Sequence, residues 1–193
     1  MQDKPIHLKG CFVVVVGPSG AGKDTLMDAA RAELADDVRF HFVRRVITRP
    51  QMPGTEDHDS LDEAGFIKAQ GEDAFALDWQ AHGLHYGLPK SLDVQIENGK
   101  VVIANISRRV LADVRRLYPS HAVVLITARQ EVLAKRLAAR GRETREQIEQ
   151  RLLREVRFDD QADNVVTLDN SEDVETSITD FVNILIKITK TTY

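Results

Sequence analysis

A glycine-rich segment near the N-terminus has the residue types and spacing of a phosphate-binding loop. It follows an apolar run, Phe12 to Val16, and precedes a segment of helical pattern. Glycines let successive backbone N–H groups turn toward phosphate oxygens, and the start of the following helix adds a favourable dipole. A lysine supplies a mobile positive charge for the β- and γ-phosphates of a nucleotide. The predicted binding residues are Gly17, Pro18, Ser19, Gly20, Ala21, Gly22, Lys23, Asp24 and Thr25.

One position departs from the general pattern of such loops. A Ser or Thr normally follows the lysine and holds Mg²⁺, whereas this sequence has Asp24 and then Thr25. A second acidic ligand is expected at the end of a later strand, but the run Val101 to Ile106 ends without Asp or Glu. Because carboxylates bind hard cations well, we predict that Asp24 is the metal ligand and has a catalytic role. The alternative is that Asp24 only caps the helix.

Short apolar runs that alternate with helical patterns predict the fold class. Such alternation indicates βαβ crossovers, a parallel central sheet and an α/β fold with three α/β/α layers, as in the P-loop NTPases. The predicted strands are Phe12 to Val16, Val101 to Ile106, Val123 to Ile126 and Val165 to Leu168. The predicted helices are Thr25 to Leu34, Ser107 to Leu117, Glu131 to Arg140 and Glu172 to Lys187.

Two stretches interrupt this alternation. Residues 44–99 carry most of the turn residues and are predicted to be an inserted region that binds the acceptor substrate. Residues 136–157 are polar and rich in arginine, which favours a mobile lid over a core helix. We expect the chain of 193 residues to form a single domain.

Composition excludes several classes of protein. The net charge of −4 argues against a general nucleic-acid binder. The longest apolar run, Cys11 to Val16, is far shorter than the roughly 20 residues needed to cross a bilayer, and the first ten residues do not resemble a signal peptide. The single cysteine excludes an internal disulfide. These features predict a cytoplasmic protein with a small-molecule substrate.

The phosphate loop, the insertion and the late arginine-rich stretch, in this order, resemble the guanylate-kinase-like branch of the nucleoside monophosphate kinases. The resemblance implies that ATP with Mg²⁺ is the phosphoryl donor and that lid arginines stabilise the transferred group. The arginines at matching positions are Arg136, Arg140 and Arg151. Asn170 falls where the related kinases contact adenine, although an ordinary turn explains this residue equally well.

The acceptor region departs from the guanylate kinases. After His85-Tyr86-Gly87 the sequence has Leu88, where those enzymes have a Ser or Thr that reads guanine. Their acidic strand end is replaced by residues 104–107, Ala-Asn-Ile-Ser, followed by Arg108 and Arg109. The sequence therefore lacks the residues that bind the base and offers arginines instead, which suit a second phosphate.

Residues 45–49, 54–58, 76–87 and the Gly-Lys-Asp-Thr variant at 22–25 resemble the ribose 1,5-bisphosphate phosphokinases, enzymes of phosphonate utilisation. The resemblance implies that ribose 1,5-bisphosphate and ATP react to give 5-phosphoribosyl 1-diphosphate. A sugar with two phosphates calls for arginines and hydroxyls. The predicted substrate residues are Arg45, Arg49, His58, Asp78, Tyr86, Arg108 and Arg109. A guanylate-type kinase with a divergent base pocket and an inactive nucleotide-binding module are the alternatives.

Overall fold

The computed structural model describes residues 10–51, 57–139 and 164–191. These residues form two β-sheets with helices packed around them. The strands are β1 (Cys11–Val16), β2 (Phe40–Phe42), β3 (Val46–Ile47), β4 (Asp59–Ser60), β5 (Phe75–Ala81), β6 (Leu84–Pro89), β7 (Val101–Asn105), β8 (His121–Thr127) and β9 (Val165–Asp169). The helices are α1 (Lys23–Glu33), α2 (Glu63–Gly71), α3 (Ser91–Glu97), α4 (Leu111–Leu117), α5 (Gln130–Ala139) and α6 (Val174–Thr191).

The larger sheet is parallel and has the strand order β2-β7-β1-β8-β9. Its central strands β1 and β7 are buried along their whole length, as continuous apolar runs in a parallel sheet should be. The prediction of a parallel sheet is confirmed. The edge strand β2 was not predicted, because Phe40–Phe42 is too short for a pattern and is defined by its pairing with β7.

Successive residues of β1 alternate between two cores, one on each face of the parallel sheet. Val13 and Val15 face a core that includes side chains of α1, α5 and α6. Phe12 and Val14 face a second core, shared with α3, α4 and the smaller sheet. The three-layer α/β/α arrangement predicted from the sequence is therefore confirmed.

The smaller sheet lies within the predicted insertion and has the order β4-β3-β6-β5. Strands β5 and β6 form an antiparallel hairpin whose turn contains His82 and Gly83, both at positive φ, which matches the twist of such hairpins. Leu77 and Leu88 are buried in the core shared with the parallel sheet. This packing fixes which face of the hairpin turns toward the main body of the protein.

The predicted helix over Ser107 to Leu117 is divided in the structure. A 3₁₀ turn at Arg108–Val110, with the Ser107 hydroxyl accepting a hydrogen bond from the Arg109 N–H at 3.3 Å, precedes α4. A 3₁₀ turn commonly occupies the first turn of a helix. The helical segment therefore lies where the sequence predicts it, and only the hydrogen bonding of its first turn differs from that of an α-helix. None of the described helices combines the length and apolar composition needed to cross a membrane.

Tyr118 connects the end of α4 to α3 beneath the parallel sheet. Its hydroxyl donates a 2.8 Å hydrogen bond to Asp93, and its ring packs against Phe12 with the centroids 4.7 Å apart. Burial raises the pKa of Tyr118 well above its ordinary value, and the hydrogen bond to the Asp93 carboxylate and its negative charge act in the same direction. The folded state therefore favours the neutral phenol.

This pKa shift predicts a pH dependence of stability. The unfolded chain releases the Tyr118 proton near pH 10, while the folded protein retains it. The contribution of this group to the free energy of unfolding is therefore complete below about pH 10 and is lost as the pH rises further. We expect Tyr118→Phe to cost about 1 kcal/mol at neutral pH and to flatten the decline above pH 10. Urea unfolding from pH 8 to 11 measures the free energy of unfolding of the original protein and of Tyr118→Phe. If this free energy fell equally in both above pH 10, Tyr118 would not be the group responsible.

Candidate active site

Several candidate residues lie together at the carboxyl edge of the parallel sheet. The phosphate loop follows β1, Asn105 ends β7, and Asn170 follows β9. Since parallel strands end at a common edge, these segments lie beside one another although they are far apart in sequence. In open α/β sheets this edge is where ligands bind.

The phosphate loop is held in a conformation that requires glycine. Gly17, Gly20 and Gly22 have φ values of 149°, 87° and 90°. A Cβ on Gly17 would collide with the carbonyl oxygen of Ile126 in β8. Helix α1 then begins at Lys23 with no side chain capping its N-terminus. A helix N-terminus without a side-chain cap, with its positive dipole end, is suited to bind an anion.

The side chain of Lys23 lies across this loop. Its ammonium donates hydrogen bonds to the carbonyl oxygens of Gly17 and Pro18, both at 2.9 Å. Both acceptors are neutral, so a phosphate dianion at the same place would be a stronger partner for the ammonium. The lysine is thus positioned beside the space that a nucleotide phosphate would occupy.

Asp24 lies in the first turn of α1 and contacts the end of β7. Its Oδ1 accepts a 2.8 Å hydrogen bond from the side-chain amide of Asn105, which is only 7% exposed. Among the described residues, no group of three or more His, Cys, Asp or Glu side chains could hold a metal ion. The Asp24 carboxylate is chemically suited to a hard cation such as Mg²⁺.

A cleft opens between α1 and the start of the smaller sheet. Three of its charged residues, Asp24, Asp28 and Arg31, follow one another along a single face of α1. Arg31 is held by Asp28 at 3.2 Å and lies 5.8 Å from the centre of the Phe42 ring. The cleft is lined by Asp24, Met27, Asp28, Arg31, Val43, Arg45, Asp57 and Asn105.

Arg45 and Tyr86 are brought together by the register of the smaller sheet. The Arg45 guanidinium lies 5.3 Å from the centre of the Tyr86 ring, and that ring stacks on Trp79 with an angle of 4° between the planes. Trp79 and Tyr86 are paired across β5 and β6. Two predicted substrate residues therefore share one face, next to the cleft that Arg45 lines.

Arg49 is fixed through its backbone. Its carbonyl oxygen accepts hydrogen bonds from the ring Nε2 of His58 at 3.0 Å and from the hydroxyl of Ser60 at 2.8 Å. The Arg49 side-chain Nε is buried and has no hydrogen-bond partner. Such an unpaired buried donor is costly, and an anionic ligand is one way to satisfy it.

Asn170, which follows β9, and Arg136 of α5 lie against the phosphate loop. The Asn170 side chain is 2% exposed and donates a 2.7 Å hydrogen bond to the carbonyl of Ala21. Its backbone N–H donates to Thr127 at 2.8 Å. Arg136 Nη1 is buried without a partner and lies near the position that a Cβ on Gly22 would occupy. The described part of the predicted lid thus reaches the phosphate loop.

Comparison with known proteins identifies the family. A model described as AAA domain matches residues 13–170. The ribose 1,5-bisphosphate phosphokinase of Brucella melitensis is 68% identical over 180 residues, or 93% of this chain and 94% of that protein. The Brucella abortus protein of the same name is 70% identical over 174 residues, or 90% and 91% of the two chains. The chain belongs to the ribose 1,5-bisphosphate phosphokinase family.

The fold of this family member is shared with a solved guanylate kinase. The crystal structure of guanylate kinase from Anaplasma phagocytophilum superposes with a TM-score of 0.66, covering 92% of this chain and 85% of that one. The sequences are only 18% identical, so this likeness concerns the fold alone. The sequence prediction of a guanylate-kinase-like P-loop kinase fold is confirmed.

Two predicted substrate residues of this phosphokinase do not face the cleft. Asp78 is exposed on the face of β5 opposite Leu77 and Trp79, and it accepts a 2.7 Å hydrogen bond from Gln70 of α2. His58 is fully buried and supports the Arg49 carbonyl. Neither side chain lines the cleft, and their direct contact with substrate stays a prediction. The sequence alone does not show which face of the insertion each of these side chains occupies.

The other predicted residues divide into those near the cleft and those outside the described residues. Arg108 is half-buried and Arg109 exposed, both directly after β7, but neither lines the cleft. Arg140 and Arg151 lie outside the described residues. The sequence interpretation missed Asn105, Asp28 and Arg31, although the helical spacing of the last two from Asp24 would have placed them on its face.

Asn170 gives a prediction that separates support of the loop from contact with adenine. Asn170→Ala removes the hydrogen bond to Ala21, which is worth about 1–2 kcal/mol, so binding of ATP and of inorganic tripolyphosphate should both weaken about 5- to 30-fold. Titration calorimetry with each ligand measures the effect, and Asn98→Ala, at an exposed position, is the matched control. A loss confined to ATP would instead indicate the adenine contact.

Proposed function

We propose that this chain transfers the γ-phosphoryl group of ATP to the 1-phosphate of ribose 1,5-bisphosphate, giving 5-phosphoribosyl 1-diphosphate and ADP. The observation that carries the proposal is the charged cleft beside the phosphate loop, which presents Arg31 and Arg45 to an acceptor. Membership of the phosphokinase family supports the same reaction. Because the donor is ATP, we place the protein in the cytoplasm.

The donor is bound mainly by backbone groups. Backbone N–H groups of the loop between Ser19 and Thr25 surround the β- and γ-phosphates, and Lys23 exchanges its carbonyl partners for phosphate oxygens. Arg136 approaches the same loop with an unpaired buried Nη1 and supplies positive charge to the transferred group. When bound with ATP, Mg²⁺ neutralises negative charge on the phosphates, and Asp24 is the carboxylate that we propose to hold it.

The acceptor is positioned by arginines and a phenol. Arg45 lies against the Tyr86 ring at the cleft, and Arg49 offers a buried unpaired Nε. The attacking atom is an oxygen of the 1-phosphate, which is already ionised at neutral pH, so no strong general base is required. Catalysis then depends on bringing two anions together and neutralising their charge. Arg108 and Arg109 remain candidates for the second acceptor phosphate.

A guanylate-type kinase is the weaker alternative for physical reasons. The position after Gly87, where a guanine reader would be needed, is Leu88, which is fully buried in the core. The strand end that would carry base-binding carboxylates has Asn105, whose amide is engaged with Asp24. A purine would therefore meet neither the hydroxyl nor the carboxylates that recognise it.

A coupled assay of ADP release tests the acceptor. We expect turnover with ribose 1,5-bisphosphate and little with GMP, since the described acceptor region offers phosphate-binding arginines and no base reader. Lys23→Ala should lower kcat by roughly 10²–10³-fold, the usual cost of removing a group that stabilises transition-state charge. Faster turnover with GMP than with ribose 1,5-bisphosphate would refute the proposal.

Arg49 gives a prediction specific to the acceptor. Arg49→Ala removes a charge-assisted hydrogen bond, worth about 1.5–3 kcal/mol, so the KM for ribose 1,5-bisphosphate should rise about 10- to 100-fold. The KM for ATP should not change. Steady-state kinetics with each substrate varied measures both values. Arg115→Ala, an exposed arginine of α4, is the matched control and should leave both constants unaltered.

A further inference from the structure

Asn105 occupies the strand end where phosphate-loop enzymes commonly place an acidic metal ligand. It is the last residue of β7, it pairs with Val15 of β1, and the next backbone N–H, that of Ile106, donates to the Val15 carbonyl at 3.1 Å. Its side chain is almost wholly buried. The amide is therefore fixed by the most rigid part of the sheet, and it faces α1.

The contact between Asn105 and Asp24 orients the carboxylate. Only the Nδ2 of Asn105 can donate, so the 2.8 Å bond fixes Asp24 Oδ1 at the strand end. Among the described residues, the second oxygen, Oδ2, makes no hydrogen bond or ion pair. Both side chains line the cleft, so this second oxygen remains available to a ligand there. Because the amide is neutral, it orients the carboxylate without neutralising its charge.

The pair also explains why an acid is absent from the strand end. An ionised carboxylate at position 105 has no hydrogen to donate, so it could not make the bond to Asp24 and would place two like charges side by side. With the acid moved to position 24 on the loop helix, a hydrogen-bond donor is the residue that suits position 105. The aspartate that follows the loop lysine and the asparagine that ends β7 are the two departures from the general pattern. They therefore complement each other.

We propose that Asn105 is a positioning residue that holds Asp24 so that its second oxygen faces the Mg²⁺ of bound Mg·ATP. The proposal rests on the proposed function only in that the donor is Mg·ATP. It assigns to Asn105 a role that acts through Asp24, without contact of its own with the nucleotide. Outer partners of this kind typically alter metal affinity or activity by 10–100-fold.

A double-mutant cycle tests the coupling through binding, without turnover. Asn105→Leu, Asp24→Ala and the double variant are titrated with ATP by calorimetry, once with Mg²⁺ and once with EDTA. The ratio of the two affinities measures the preference for the metal complex. We expect Asn105→Leu to lower this preference about 10- to 100-fold and Asp24→Ala to lower it at least as far. In the Asp24→Ala background, Asn105→Leu should have no further effect.

Two outcomes would overturn the proposal. One is an unchanged preference for the metal complex in Asn105→Leu; the other is a loss of equal size in both backgrounds, since that would show an effect that does not pass through Asp24. Asn98→Leu, at an exposed asparagine, is the control for the substitution itself. If Asn105→Leu does not fold, as judged by its thermal transition, Asn105→Ala, which also lacks a donor, replaces it in the same cycle. No acceptor is present, so failure of the proposed acceptor would leave this result unaffected.

Discussion

The site depends on the close passage of the phosphate loop over the end of β8. The chain leaves β1 at Gly17 so near the Ile126 carbonyl that no side chain can be accommodated, and it turns through two further glycines at positive φ before α1 begins. This path directs the N-terminus of α1, which no side chain caps, and its positive dipole end at the carboxyl edge of the sheet. The remaining functional groups are arranged around that point.

Contacts from distant segments hold the loop on two sides. Asn105 of β7 binds the first turn of α1 through Asp24, and Asn170 after β9 binds the loop carbonyl of Ala21. Both asparagines are buried and each lies at the end of a strand of the same sheet. Fixed dipoles at a rigid edge need little reorganisation when an anion binds, which is the property that phosphoryl transfer requires of its site.

The smaller sheet borders the cleft, and its side chains divide between packing and charge. Its interior positions are used for support: Leu77 and Leu88 dock the hairpin on the main core, and His58 secures the Arg49 backbone. Tyr86 lies on the same face as Leu88, and Arg45, which lines the cleft, is held against the Tyr86 ring. The cleft next to the phosphate loop thus combines two arginines with three carboxylates, Asp24, Asp28 and Asp57.

The sequence by itself determined the layers of the fold and the form of the phosphate loop. The phosphate loop is a local motif, because glycine conformation, lysine position and helix start are fixed within nine consecutive residues, 17–25. The alternation of apolar runs with helical patterns likewise indicates a parallel sheet without reference to distant contacts. Edge strand β2 could not be predicted, because three residues are too few to show a periodic pattern.

Only the tertiary structure decided the acceptor side and the partner of Asp24. Asp78 and Tyr86 are equally polar in sequence, but alternation along paired strands places them on opposite faces, and the core determines which face meets the cleft. Asp24 and Asn105 are separated by 81 positions, and their contact exists because β1 and β7 are neighbours in the sheet. A local sequence pattern indicates the conformation of its own segment. Contacts between distant segments arise from tertiary packing, which no single segment specifies.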